Sequence, residues 1–113
     1  VLGIGADGHT ASLFPRTTAL QETKHLAIPI IADASPSERV SLSLGVINNA
    51  KNICFLVTGK SKADAIKAIL EDEASLLPAA LVKPTQGTLL FLLDQAAASL
   101  LSDKGGYISK PIL

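Results

Sequence analysis

The sequence predicts an α/β domain with a mostly parallel sheet and flanking helices. Three observations carry that expectation. Short apolar runs alternate with helical patterns, with Gly and Pro punctuating the joints. The run Ile53-Cys54-Phe55-Leu56-Val57 is continuously apolar and rich in β-formers, as a central parallel strand should be. It is followed at once by a glycine turn and the clearest helical pattern in the chain. At 113 residues, 48% hydrophobic and 18% charged, the chain has room for one domain and is too apolar for a disordered segment.

Residues 1–4 read as the end of a buried strand, followed by the turn Gly3-Ile4-Gly5-Ala6-Asp7-Gly8. A short helix is expected from Thr10 and must stop by Pro15. Residues 26–31 form a strand whose Pro29 assigns it to an edge or a bulge, and residues 32–38 a polar loop. In 39–44 the alternation predicts a half-buried strand, with Val40, Leu42 and Leu44 on one face and Ser41 and Ser43 on the other. Residues 45–52 hold a helical turn. Beyond the strand at 53–57, Ser61 and Asp64 have the spacing of a capping box, and Ile66, Ile69 and Leu70 form the inward stripe of the helix. Pro78 and Pro84 bracket a short strand at 81–83. A buried strand follows at 89–93, and Asp94 then caps an Ala-rich helix through Leu101. The tail, 102–113, is expected to be weakly ordered.

Composition excludes several function classes. Ten basic residues balance ten acidic ones, so no basic surplus points to nucleic acid or an anionic membrane. The longest aliphatic and aromatic run, 89–93, is far too short for a membrane span or a signal peptide. The single Cys54, between Ile53 and Phe55, reads as a buried thiol in a reducing, cytoplasmic compartment. The chain contains no methionine and opens on Val-Leu-Gly as if in mid-strand. It therefore reads as the C-terminal part of one domain, residues 1–113, lacking its N-terminal half.

In an α/β sheet, ligands gather where strands run out into helices, and two polar loops occupy that position. The first, residues 3–8, matches the dinucleotide fingerprint G-x-G-x-x-G. It lacks the helix that must follow, and Glu22 comes too early to hold a ribose. The second is Thr58-Gly59-Lys60-Ser61-Lys62. Cys54 stands where a Walker loop needs glycine, which leaves a site for one phosphate monoester or small anion, built on Gly59 and the two lysines. Two solvated lysines at a helix start explain the segment equally well. Within the first loop, His9 has the exposure a general base requires, and Asp7 stands two residues away to fix its tautomer. A lone histidine is more often structural. His25 has no polar cluster around it, and no residues stand at metal-ligand spacing, so no metal is expected.

The block from Gly3 to Pro15, Gly-Ile-Gly-Ala-Asp-Gly-His-Thr-Ala-Ser-Leu-Phe-Pro, closely resembles the signature of the 6-phosphogluconolactonases. Arg39-Val40-Ser41-Leu42-Ser43-Leu44, the segment 55–63, and Pro84-Thr85-Gln86-Gly87 with residues 89–97 are similar to further blocks of that family in the same order. The resemblance implies the Rossmann-like fold shared with glucosamine-6-phosphate deaminases. It also implies hydrolysis of a sugar-phosphate lactone in the oxidative pentose phosphate pathway, with no cofactor. By the same resemblance His9 activates water, with Asp7 beside it. Arg39 and Lys62 lie near the phosphate, and Gly5, Gly8, Thr10 and Gly59 complete the substrate site.

Two serines, 41 and 43, stand where the family has threonines, and Phe91 where tryptophan is common. The related deaminases carry a glutamate at the position of Phe14, and a phenyl ring cannot shuttle protons. That argues against the deaminase reading. The family's Ser-Gly-Gly phosphate loop belongs to the absent half, which makes a non-catalytic sugar-phosphate-binding fragment the alternative for these residues alone.

Overall fold

The computed structural model describes residues 1–102; the tail beyond Ser102 lies outside them. The described residues include four strands: β1 (Ala27–Ile31), β2 (Glu38–Leu42), β3 (Asn52–Val57) and β4 (Thr88–Leu93). The helices are α1 (Leu44–Asn48) and α2 (Ala63–Glu71), joined by 3-10 turns at Thr18–Gln21, Lys60–Lys62 and Pro78–Leu81.

β3 and β4 pair in parallel, Asn52 opposite Thr88 through Val57 opposite Leu93. The strand end expected at residues 1–4 survives as a parallel bridge between Leu2 and Phe55. Leu2 N–H donates to the Cys54 carbonyl at 2.8 Å, and Leu56 N–H donates to the Leu2 carbonyl at 2.9 Å. β3 is therefore the middle strand of this parallel unit. Beside it β1 and β2 form an antiparallel ribbon, Ala27 opposite Leu42 and Ile31 opposite Glu38.

One core runs through the molecule. Phe55, Leu13 and Ile66 are completely enclosed, with Ile28, Ile30, Ile53 and Val57 around them. Phe55 stacks on Phe91 at 5.0 Å. α2 forms where its pattern predicts, with Ile66 buried and Ile69 and Leu70 packed against the core.

β2 turns its serine face, not its aliphatic face, towards the core. Ser41 and Ser43 are buried, whereas Val40 is 75% and Leu42 50% exposed. Hydrogen bonding explains this orientation. The Ser41 hydroxyl accepts from Ser12 N–H at 3.1 Å and donates to the Leu42 carbonyl. Ser43 caps α1 by accepting from Val46 N–H. Two small hydroxyls tie neighbouring segments to the ribbon, which an aliphatic side chain cannot do.

Other expected elements give way to turns. No helix starts at Thr10, because Ala11 takes a left-handed φ of 50° and Thr10 bridges Leu13. The strand expected at 81–83 is replaced by the 3-10 turn that Pro78 opens. The Asn48 side chain serves as its pairing partner, donating to Leu81 O and accepting from Lys83 N–H. Residues 94–101 form successive turns instead of a regular helix. Asp94 does cap them through Ala97 N–H, but the Ser99 hydroxyl bonds back to Ala96 O. The capping box at Ser61 is absent, since Ser61 lies inside the Lys60–Lys62 turn and α2 starts without a side-chain cap. Cys54 is half-buried, not fully enclosed, because its face of the sheet is open: Leu56 and Leu90 are 56% and 43% exposed.

The orientation of β2 is checked by mutation. Ser41→Ala strands a partly buried N–H on Ser12 and is expected to cost about 1–3 kcal/mol in urea unfolding. Val40→Thr, on the exposed face, should stay within about 0.5 kcal/mol.

Candidate active site

Parallel seating of Leu2 on β3 sends two chain segments out of the same end of the sheet. One is the loop 3–9; the other is Gly59 and the turn Lys60–Lys62. They touch there: Lys62 Nζ donates to the Ile4 carbonyl at 2.5 Å, across 58 residues of sequence.

The first loop closes on itself. Gly5 N–H bonds the His9 carbonyl and Gly8 N–H bonds the Gly5 carbonyl, both at 2.9 Å. Gly8 has a φ of 87°, which side-chain-bearing residues avoid, and a Cβ there would run into Leu77. Gly5 is required for a different reason: a Cβ at this position would occupy the space of the His9 imidazole. Thr10 anchors the loop from below. It is buried, and its hydroxyl is committed to the Gly3 carbonyl at 2.8 Å. Ala79 N–H ties Gly8 from the far side at 3.0 Å.

On this base stands a side-chain pair. Asp7 Oδ1 lies 2.5 Å from His9 Nδ1 and also accepts from His9 N–H at 3.0 Å. Partial burial pushes the Asp7 carboxyl up, but the main-chain and ring hydrogen bonds from His9, with its charge, together hold it below the usual range. A carboxylate can only accept, so it fixes the proton on Nδ1 and leaves the Nε2 lone pair free. The His9 ring is 29% exposed, half sheltered yet open to small molecules. It packs against Phe14 with ring centroids 4.6 Å apart.

His9 lies between two clefts. One, of about 800 Å³, is also lined by Asp7, Phe14, Arg16 and Thr17. The other, of about 470 Å³, brings His9 together with Gly3, Gly5, Ala11 and Lys62. Arg39 lines neither cleft. Its guanidinium lies 5.4 Å over the Phe14 ring, and its Nε donates to Pro36 O at 2.8 Å. Gly59 takes the left-handed φ of 98° that glycine allows, but both oxygens of Asp94 accept its N–H at 3.1 Å.

His9, Asp7, Gly5 and Lys62 thus converge, while Thr10 and Gly8 act within the loop and Arg39 touches it through Phe14. The sequence marks Asp94 only as a helix cap and Ser41 only as a strand residue, and gives no sign of Leu77; their contacts with Gly59, Ser12 and Gly8 depend on partners distant in the chain. Among the described residues, no group of three His, Cys, Asp or Glu could hold a metal, and no helix is long and apolar enough to cross a membrane.

A paired histidine and carboxylate on a glycine loop, with a lysine brought in from the next strand's end, can activate water beside an anion. The chain belongs to the family of glucosamine-6-phosphate isomerases and 6-phosphogluconolactonases, whose sequence pattern matches residues 1–91. Within it the chain is 50% identical over 103 residues to the 6-phosphogluconolactonase of Rattus norvegicus and 49% over 104 residues to that of Homo sapiens. Each alignment covers 90% of this chain and 40% of the relative. The solved 6-phosphogluconolactonase of Trypanosoma brucei superposes with a TM-score of 0.77 at 37% identity, over 89% of this chain and 41% of that one. The chain spans about two fifths of the length of the curated relatives it matches.

The role assigned to Gly5 is tested by Gly5→Ala, which should evict the imidazole and break its bond to Asp7. Carbon-13 NMR should then show the Asp7 carboxyl titrating higher, back towards the ordinary carboxylate range. Gly3→Ala, where a Cβ meets nothing within 4 Å, should leave it depressed.

Proposed function

We propose that these residues belong to a cytoplasmic enzyme that hydrolyses 6-phosphogluconolactone to 6-phosphogluconate in the oxidative pentose phosphate pathway. The observation that carries this reading is the Asp7–His9 pair with its free Nε2 beside Lys62. Nε2 takes a proton from a water as the water oxygen bonds to the lactone carbonyl carbon. The tetrahedral oxyanion then collapses, the ring carbon–oxygen bond breaks, and the proton on Nε2 passes to the departing alkoxide. Asp7 stabilises the transient imidazolium without taking its proton. These steps use protein groups and water, and no cofactor. Lys62 has three donors and spends one on Ile4 O, leaving two to meet the substrate phosphate. Phe14 stands where a deaminase of this family needs a proton-carrying carboxylate, which supports a lactonase over an isomerase.

The substrate site is completed by the rest of the family fold. Cys54, Leu56, Leu90 and Leu92 share one face of β3 and β4, and parallel strands are normally covered on both faces. An N-terminal half seated on this face would bury it and add phosphate contacts from its own loops.

In the protein as it is made in the cell, His9→Asn should lower lactone turnover by roughly 10²–10⁴-fold with little change in KM. Lys62→Met should raise KM about tenfold or more, as the loss of a charge-assisted contact does, and Lys60→Ala should do less. Equal hydrolysis of a lactone without phosphate would refute the anion site.

The 113-residue chain alone should hydrolyse little lactone, since displacing a reacting group by about 1 Å costs roughly a hundredfold. Adding the separately expressed N-terminal half should restore turnover. Full activity of the chain alone would show instead that the site is complete within it.

A further inference from the structure

We propose that Phe14 is a positioning residue for His9, holding the imidazole where Asp7 can keep its proton on Nδ1, and that Arg39 acts on His9 through Phe14. The three side chains are linked through the Phe14 ring. The imidazole lies 4.6 Å from the phenyl ring, tilted by 35°, and the Arg39 guanidinium lies 5.4 Å from that ring's centre. Arg39 and Phe14 are anchored by different parts of the chain. Arg39 belongs to β2 and is held by the Pro36 carbonyl at 2.8 Å. Phe14 follows Leu13, which is completely buried, and its carbonyl accepts from the Thr17 hydroxyl at 2.8 Å.

These contacts are needed because Asp7 is a weak restraint by itself. Its side chain is 51% exposed and it stands only two residues from His9. Exposed pairs of this kind hold poorly against solvent and salt. One hydrogen bond also leaves the imidazole free to turn about its two side-chain torsions. Gly5 bounds the ring from the main chain, and Phe14 supplies the side-chain contact. Aromatic pairs prefer a defined offset, so the phenyl ring favours one placement of the imidazole over its alternatives. Arg39 in turn favours one placement of the phenyl ring through attraction to its face.

A loosened His9 would do more than wander. A neutral histidine side chain in water prefers its proton on Nε2, and only the bond to Asp7 reverses that preference. Each excursion from Asp7 therefore blocks the lone pair on which the proposed base depends. Phe14 sets the fraction of time His9 is a competent base, which places its effect in kcat and not in substrate affinity.

The proposal rests on the reading of His9 as the base, and its test separates the two. Nitrogen-15 NMR of the neutral His9 ring reports the tautomer without any turnover. The wild-type ring should be in the Nδ1–H form, Phe14→Leu should shift a large share to Nε2–H, and Phe14→Tyr should restore the wild-type ratio. Arg39→Met, which leaves the loop's apolar packing in place, should shift the ratio in the same direction by less. In the protein as it is made in the cell, Phe14→Leu should lower kcat by roughly 10–100-fold with KM within about twofold, as expected of misplaced groups, and Tyr should rescue it. An unchanged tautomer and kcat in Phe14→Leu, or a Tyr variant no better than Leu, would overturn the proposal. A wild-type protein inert towards the lactone would sink the lactonase reading alone and leave the tautomer ratio to decide this one.

Discussion

Two main-chain hydrogen bonds seat Leu2 on β3, from Leu2 N–H to Cys54 O and from Leu56 N–H to Leu2 O, and the candidate site depends on them. Because the pairing is parallel, the chain leaving Leu2 and the chain leaving Val57 emerge at the same end of the sheet. The histidine loop and the lysine turn are thereby brought within one hydrogen bond of each other, at Ile4 O. An antiparallel pairing would have placed them at opposite ends, with His9 and Lys62 unable to share a cleft. The usual rule that ligands collect at the carboxyl ends of parallel strands is here a consequence of these few bonds.

The second constraint is that buried polar groups must be paired. No enclosed side-chain nitrogen or oxygen among the described residues lacks a partner. Thr10 and Ser41 are each buried by spending a hydroxyl on the histidine loop or its continuation, at Gly3 O and Ser12 N–H. These bonds hold the loop from beneath, while Gly8 and Leu77 pack it from the side. The exposed tip is left to Asp7 and His9. Rigidity below and access above is what a water-activating group requires, since its geometry must survive the arrival of substrate.

Local chemistry was legible where it depends on neighbours in sequence. The glycines of the loop, the two-residue spacing of Asp7 and His9, the apolar run of β3 and the stripe of α2 are all short-range patterns, and the structure forms each of them. Legibility failed where a distant partner outweighs the local preference. The alternation at 39–44 shows a two-faced strand but not which face is inward. Burial of Ser41 is decided by Ser12, 29 residues away. The turn at Thr10 overrides a helix-compatible stretch, and Asn48 replaces a strand partner for residues 81–83.

By itself the sequence determined the α/β class, the identity of the paired acid and imidazole, and the glycines their loop demands. These follow from periodicity, steric freedom and the pKa of side chains, all properties of residues close together in the chain. Only the tertiary structure decided that Lys62 reaches the histidine loop while Arg39 reaches it through Phe14, and that the Gly59 N–H is taken by Asp94. Those outcomes are set by strand register and by competition among partners remote in sequence. A residue's type states what it can bind, and the fold chooses which available partner it meets.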